Sequence, residues 1–473
     1  MRGTFPDMTA QLPLAVAGDP RRWLILSVVS LAVFIAVMDI SIVNISLPSI
    51  TADLGTDFAT ATWVLNAYNL TFAVLLVTAG RLADLQGRRR WLAAGIAMFG
   101  LASLACALSP SIGALIGFRV LQAAGAAVML PVALAIVVLA FPPRERGTAI
   151  GAWGAVAAGG AAAGPPLGGI LTDLLSWHWI FGVNVPICAV ALVLALRLVP
   201  ESRDPTASGT VDWAGIATMS VSLFSLNLAL VEGAAWGWGS LRVVGLLAVA
   251  AVTFAAFLRA ELRVREPILD LRLFASPAFG RSSATIFLLG LGLLGSTYAL
   301  AVLLQAVWAY SPLKAAFTVL SFSLFAFVSG PIAGRLSDRV GVRVIAAPAL
   351  AVFGTAVLLL ATLGGEPDPV RVVVLCALAG IGVGCSFPVL VGGAMATVAG
   401  PRAGVGSGVV NVVRQVGFVV GVAVVEATLQ TTAGIRLEAS DFVPGFVVCG
   451  LCGLAGAAVA ASIPRSAHAP HHA

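Results

Sequence analysis

Long apolar stretches alternate with short polar breaks from Trp23 to Ile463. Most run to roughly 20 residues, enough for a helix to cross about 30 Å of hydrocarbon. The pattern predicts fourteen spans, at about 23–47, 62–79, 91–108, 112–140, 148–171, 179–199, 213–232, 241–259, 281–307, 313–333, 343–363, 371–394, 404–427 and 443–463. Helix is the expected state, because the runs are too long and too uniformly apolar for barrel strands and the backbone must satisfy itself in lipid. The first run is too long for a signal-peptide core and has no small-residue cleavage site, so it reads as a retained span. Tryptophan supports the frame: Trp23, Trp91 and Trp213 fall near inner ends, and Trp63, Trp177, Trp179, Trp236 and Trp238 near outer ends. Amphipathic rings favour those two interfaces.

The polar breaks carry a repeat. Gly80-Arg81-Leu82-Ala83-Asp84-Leu85-Gln86-Gly87-Arg88-Arg89-Arg90 returns 254 residues later as Gly334-Arg335-Leu336-Ser337-Asp338-Arg339-Val340-Gly341-Val342-Arg343. Arg146-Gly147 and Arg402-Ala403-Gly404 each precede a Gly-rich span at an offset of 256. If each loop joins the second and third helices of a six-helix half, a half of about 200 residues leaves some 50 over, which the spans at 213–232 and 241–259 fill. The expectation is an all-α integral membrane protein of fourteen transmembrane helices, two six-helix pseudo-repeat bundles plus two inserted helices. Its parts are a cytoplasmic segment (1–21), an N-terminal bundle (22–200), a linker with the inserted pair (201–276), a C-terminal bundle (277–463) and a cytoplasmic tail (464–473). Parallel repeats of this kind suit a transporter with substrate held near the midplane between halves.

Composition agrees and excludes other classes. A mean hydropathy of +1.02, with 59% hydrophobic and 10% charged residues, is far from a soluble domain, where about 25% are charged. The pI near 9.4 does not signal nucleic acid, because position decides otherwise. About 21 of the 27 Lys and Arg fall in loops on one side, whereas Arg242, Lys314, Arg371 and Arg436 fall on the other and Arg119 and Arg414 lie inside spans. That asymmetry puts both termini in the cytoplasm. Cys106, Cys188, Cys376, Cys385, Cys449 and Cys452 all lie in apolar runs and read as packing residues. His468, His471 and His472 form a weak metal-like tail that reads as a disordered end. There is no metal-ligand set and no nucleophile–base pair, so an enzyme is not expected.

The candidate chemistry sits at polar residues inside the spans. Asp39 lies deep in the first span, where an ionised carboxylate costs on the order of 3 kcal/mol; it is a proton site or a structural carboxylate capped by a neighbouring helix. Asn44, just over one turn on, would help solvate it. Arg119 must face a partner or a wet cavity, with Gln122 on the same helix face, and Asp39 is its natural partner by chemistry. A helix tether without a coupling role is the alternative. Gly160, Gly164, Pro165, Gly168 and Gly169 make a run whose small residues permit close helix packing and whose prolines bend the span. It reads as a hinge, a seal against a helix of the other half, or dense packing. Arg414 and Gln415 form a second intramembrane polar pair, with Glu426 nearer the outer end; Arg414 either reads substrate charge or bridges helices. Tyr68, Trp153, Tyr298, Gln305 and Trp308 are candidate cavity residues or packing, and Glu232 an interfacial carboxylate. In the paired loops, Gly80 permits close helix approach and Asp84 can accept from free amides or pair with Arg88. Together with Arg81, Gly87, Gly334, Arg335, Asp338 and Arg339, they would form a conformational switch.

The loop from Gly80 to Arg90 resembles the signature loop of the major facilitator superfamily. Met38 to Pro48, Arg119 to Gln122 and Gly160 to Gly169 resemble three further motifs of its drug:proton antiporters. The inserted pair, with Trp177 to Pro186, is similar to the fourteen-helix branch, and the resemblance covers roughly residues 22–463. It implies that Asp39 is a protonation site, that Arg119 couples proton to substrate, and that the Gly-Pro run belongs with antiport. Ser41, Ala123 and His178 depart from the usual Thr, Gly and Arg, and none removes a charge from Asp39 or Arg119. The expected function is a proton-coupled antiporter exporting amphipathic drug-like or antibiotic molecules across the cell membrane by alternating access. It would use no cofactor, only the proton gradient, with protons, membrane lipids and an amphipathic substrate as partners, and would act as a monomer. A lipid translocase and a dedicated exporter of one endogenous metabolite are the alternatives.

Overall fold

A computed structural model describes residues 20–142, 145–203, 212–262, 271–398, 403–432 and 437–464; the histidine tail and Arg436 lie outside them. The described chain is helical. In order it forms α1 (Arg22–Asp53), α2 (Phe58–Gln86), α3 (Arg88–Ala107), α4 (Ile112–Ala140), α5 (Arg146–Leu174), α6 (His178–Gly182), α7 (Asn184–Leu198), α8 (Trp213–Trp236) and α9 (Leu241–Glu261). There follow α10 (Pro277–Val302), α11 (Pro312–Val340), α12 (Val342–Leu360), α13 (Pro369–Met395), α14 (Ala403–Thr432) and α15 (Val443–Ala461).

Local chemistry sets the starts and stops. Asp57, Ser111, Asp212, Ser240, Ser311 and Asp368 each accept from the amide three residues on, capping α2, α4, α8, α9, α11 and α13. Gly87 at φ +120° and Gly341 at φ +88° end α2 and α11 in conformations that L side chains rarely adopt. These are the matching glycines of the two repeated loops, so both turns are fixed by the same residue type for the same reason.

Twelve helices among the described residues are long and apolar enough to cross a membrane, or thirteen if α2, bent by 48°, counts as one span. α6 and α7 together form one of the twelve. The 29-residue α5 is not among them, because its Gly, Ala and Pro content lowers its hydropathy. Fourteen were expected, so the shortfall falls on the two elements whose composition or shape departs from a plain apolar rod.

Helices α1–α7 pack on one another, as do α10–α15. The two groups meet along two seams, one formed by α5 with α11 and α13, the other by α14 with α2 and α4. The apolar core is deepest around α4, 89% of whose apolar window is buried. α8 lies beside α2 and α14. α9 packs on α8 and faces outward, with 17% of its window buried.

Candidate functional site

Five helices converge on Asp39. Its Oδ2 accepts from Arg119 Nη1 at 2.5 Å, and its Oδ1 accepts from Gln122 Nε2 at 2.9 Å and Asn184 Nδ2 at 2.8 Å. Gln122 also accepts from Arg119 Nη1 at 2.6 Å and bonds Ser103 Oγ on α3 at 2.7 Å. Arg119 Nε donates to the Val64 carbonyl of α2 at 3.1 Å, and the guanidinium lies 4.1 Å from the Tyr68 ring centre and 5.7 Å from that of Phe181. Asp39 and Gln122 are wholly buried and Arg119 is 1% exposed. An ion pair this deep holds only when its remaining lone pairs and protons are met, and here the amides meet them. Three residues picked out by the sequence thus come together, Asp39 with Arg119 and Gln122, and Tyr68 roofs them. Its hydroxyl has no partner among the described residues. The side chain of Asn44 lies outside the described residues.

Two members of the network escape the sequence pattern. Asn184 begins α7, where a helix break at Val183 turns its amide inward. An amide between valines within a predicted span was the available signal. Ser103 had none, being one small polar residue in an Ala-Ser-Leu-Ala run.

Each of the two repeated loops sets its aspartate into a defined contact. In the first, Asp84 accepts from Arg88 Nε at 2.7 Å with both side chains buried, so the expected pairing is present. Gly80 and Arg81 are buried near the end of α2. Glu201, after α7, clasps the turn by accepting from the Arg89 amide at 3.1 Å. In the second, Asp338 reaches across the seam to the start of α5, accepting from the amides of Gly147 at 3.0 Å and Thr148 at 3.1 Å and from the Thr148 hydroxyl at 3.1 Å. A carboxylate on the free amides of a helix N-terminus is favoured by the aligned peptide dipoles. Gly334 abuts Gly147 there, whereas Arg335 and Arg339 are exposed. Ser407 on α14 donates to the Pro131 carbonyl of α4 at 2.8 Å, joining the second seam. The two groups are therefore pinned at the arginine-rich end.

Of the readings open for the glycine run on α5, its contacts are those of dense packing within one group rather than of a seal against the other. A methyl group at Gly160 would lie 2.7 Å from the Phe34 carbonyl oxygen, one at Gly164 would meet Ser41, and one at Gly168 would lie 2.7 Å from the Ile42 carbonyl. All three face α1, in the same group. The contact with the other group is made earlier on α5, where Gly151 lies against the Gly330 carbonyl of α11. The two functions share one helix because its small residues occupy two faces. Pro165, Pro166 and the buried Gly169 lie within α5, which stays helical to Leu174.

The remaining candidates are scattered. Trp153 is buried on α5, and its indole N–H finds no acceptor among the described residues. Tyr298 and Glu426 face each other through a side-chain hydrogen bond between α10 and α14. Gln305 is exposed on a π-helical turn, Leu303–Val307, that ends α10, and the Trp308 indole beside it donates to the Gly364 carbonyl at 3.0 Å. Gln415 is buried, and Glu232 is half-buried near the end of α8. His178 stacks on Trp177 with ring centres 3.8 Å apart. Arg414 lies between the rings of Phe387 and Phe418, at 5.3 and 5.5 Å, and makes no ion pair or hydrogen bond among the described residues.

The Major Facilitator Superfamily pattern matches residues 29–422 and 279–471, nearly the whole of the helical region. The chain belongs to this family. It is similar to the puromycin resistance protein pur8 of Streptomyces alboniger, at 38% identity over 90% of this chain and 86% of that protein. It is also similar to the multidrug resistance protein Stp of Mycobacterium tuberculosis, at 35% identity over 86% of this chain and 76% of that one. A solved structure, that of the human organic anion transporter MFSD10 (TETRAN), aligns with a TM-score of 0.70 over 93% of this chain and all of its own. At 16% identity that likeness concerns the fold alone. Family membership and the candidate spans make this a multi-pass membrane protein of a transporter family.

Proposed function

We propose that the protein exports amphipathic, drug-like or antibiotic molecules across the cytoplasmic membrane in exchange for protons. The observation that carries the reading is the closed network at Asp39. Asp39 accepts from Arg119, Gln122 and Asn184, and these bonds tie α1 to α4 and α7. Protonation of Asp39 removes the charge that Arg119 pairs with and turns an acceptor oxygen into a donor, so it weakens the network and frees α4 to move relative to α1 and α7. That linkage is what couples a proton to a conformational change. With one proton per cycle, a potential of about 100 mV supplies roughly 2.3 kcal/mol, enough for about a fiftyfold gradient of a neutral substrate.

The wider architecture follows the same reading. Fourteen spans form two six-helix halves, 22–200 and 277–463, with the inserted pair in 201–276 and both termini in the cytoplasm. The offset of 254–256 residues pairs α2 with α11 and α5 with α14, and those four helices meet at the seams between groups, as a two-fold plan requires. The halves rock about the seams, and the Asp338 contact holds them shut on the cytoplasmic side while substrate leaves outward. Two of the similar proteins, one named for puromycin resistance and one for multidrug resistance, support both a narrow and a broad exporter.

The test is transport in proteoliposomes under an imposed proton gradient, with lipophilic cations, neutral amphiphiles and puromycin as probes. Gradient-dependent movement by the wild type, lost in Asp39→Asn at unchanged folding, is the expected result. Retained gradient-driven efflux in that variant would overturn the assignment of Asp39. Movement of labelled lipid between leaflets with no solute transport would replace the proposal with lipid translocation.

A further inference from the structure

The sequence carries two arginines at mid-membrane depth, and their surroundings are opposite. Arg119 is saturated by a carboxylate, an amide, a carbonyl and two rings. Arg414 has ring faces alone: Phe387 of α13 and Phe418, one turn on along α14. Its Nε is buried without an acceptor, and no described carboxylate lies within ion-pair distance.

Depth and direction place this cation beside the inter-group seam. Arg414 is eleven residues past the start of α14, about 16 Å along the axis and close to the middle of a roughly 30 Å core. Gly417 and Gly421 seat α14 against the backbone of α10 at Phe287 and Leu291. The guanidinium instead leans to α13, where Pro388, next to Phe387, would lie 3.7 Å from a methyl group added at Gly154 of α5. Arg414, Phe387 and Phe418, each partly exposed, thus stand beside the stretch of α13 that meets α5 across the seam between the two groups.

A guanidinium with no counter-ion at this depth is strongly unfavourable unless something completes it. Two aromatic faces compensate in part through their quadrupoles, and they leave the edge of the planar fork for an acceptor. We infer that Arg414, framed by Phe387 and Phe418, is the substrate-binding cation of the transport cavity and that the exported molecules include aromatic carboxylates or comparable organic anions. The fork takes the carboxylate bidentately and the rings take the aromatic body. This inference rests on the exporter reading and narrows its substrate class.

Charge accounting gives it a consequence for energetics. One proton entering while one monoanion leaves moves two positive charge equivalents inward, so the exchange is electrogenic twice over. At about 100 mV the attainable gradient for a monoanion is roughly 2,000-fold, against about fiftyfold for a neutral molecule.

The test starts with binding, which needs no gradient. Equilibrium binding of 2-naphthoate and its uncharged isostere 2-naphthamide to the detergent-purified full chain at pH 7.5 is compared in wild type, Arg414→Gln and Arg414→Lys. The expected result is at least a tenfold preference for naphthoate in the wild type. Arg414→Gln abolishes that preference without changing naphthamide affinity, and Arg414→Lys, charged but unable to bind bidentately, retains a reduced one. Equal affinity for both probes in the wild type, or an unaltered preference in either folded variant, overturns the proposal. If Arg414→Gln fails to fold, Arg414→Lys decides alone: an unreduced preference overturns it and a reduced one supports it. Transport of the membrane-impermeant 2-naphthalenesulfonate in proteoliposomes separates the two readings. Arg414-dependent binding with no proton-driven movement leaves the anion site standing and removes proton antiport, whereas proton-driven movement of neutral amphiphiles with no Arg414-dependent binding does the reverse.

Discussion

Asp39 illustrates how little a single residue means without its donors. Its carboxylate is met by one cation and two amides, two of these donors from α4 and the third from α7. Deleting one buried partner of a charged group costs about 1–3 kcal/mol, so Asn184→Ala is expected to lower the thermal unfolding midpoint in detergent. Combining it with Asp39→Asn should cost less than the sum of the two, because one removes and the other weakens the same charge-assisted bond. Strict additivity in that double-mutant cycle would take Asn184 out of the network. Asp39, Arg119 and Gln122 were legible in the sequence because a charge inside an apolar run has no ordinary explanation. Asn184 and Ser103 were not, because small uncharged polar residues are common in membrane helices and contact across helices leaves no trace in spacing.

α5 shows the same limit for an element. Its glycine and proline content marks it as unusual, yet the sequence does not reveal which neighbour each glycine faces. In the structure Gly160, Gly164 and Gly168 set α5 into α1, while Gly147 and Gly151 set it into α11. Gly160→Ala would force a methyl group to within 2.7 Å of the Phe34 carbonyl, whereas Gly154→Ala would place one 3.7 Å from Pro388, an ordinary contact. The first is expected to lower the unfolding midpoint and the second to leave it unchanged; equal midpoints would show that α5 is not seated on α1 through that face. The span pattern itself was legible, since runs of roughly 20 apolar residues admit few other readings. The shortfall from fourteen to twelve or thirteen falls on α5 and the bent α2, where small residues and a bend weaken the plain hydropathy signal.

For the whole molecule, the question is what holds one arrangement of the halves against the other. Asp338 on the α5 N-terminus is the candidate, and interactions of a charge with a helix end contribute up to about 2 kcal/mol when partly buried. Losing that much shifts a two-state balance by roughly thirtyfold. Asp338→Asn is expected to widen the gap between α5 and α11 at the arginine-rich end, read as a longer distance between spin labels on those helices, and to slow transport. An unchanged distance distribution would mean that the glycine contacts alone hold the end closed. The repeat made both loops visible in advance. Which groups they hold, Arg88 and Glu201 at the first and the start of α5 at the second, was not, because spacing along the chain does not name a neighbour across helices.

Among the described residues, Asp338 engages two main-chain amides and one hydroxyl at the start of α5. A clasp of that kind is blind to the identity of nearly every residue it grips. α5 can exchange side chains around its first turn and keep the two amide bonds, save at Gly147, where any side chain would collide with the carboxylate; at Thr148 a change costs only the hydroxyl bond. Substitutions at the start of this helix can therefore accumulate without loss of the amide contacts. A saturation library across residues 145–152 should show broad tolerance broken at Gly147 and at Gly151, the positions where backbone meets backbone.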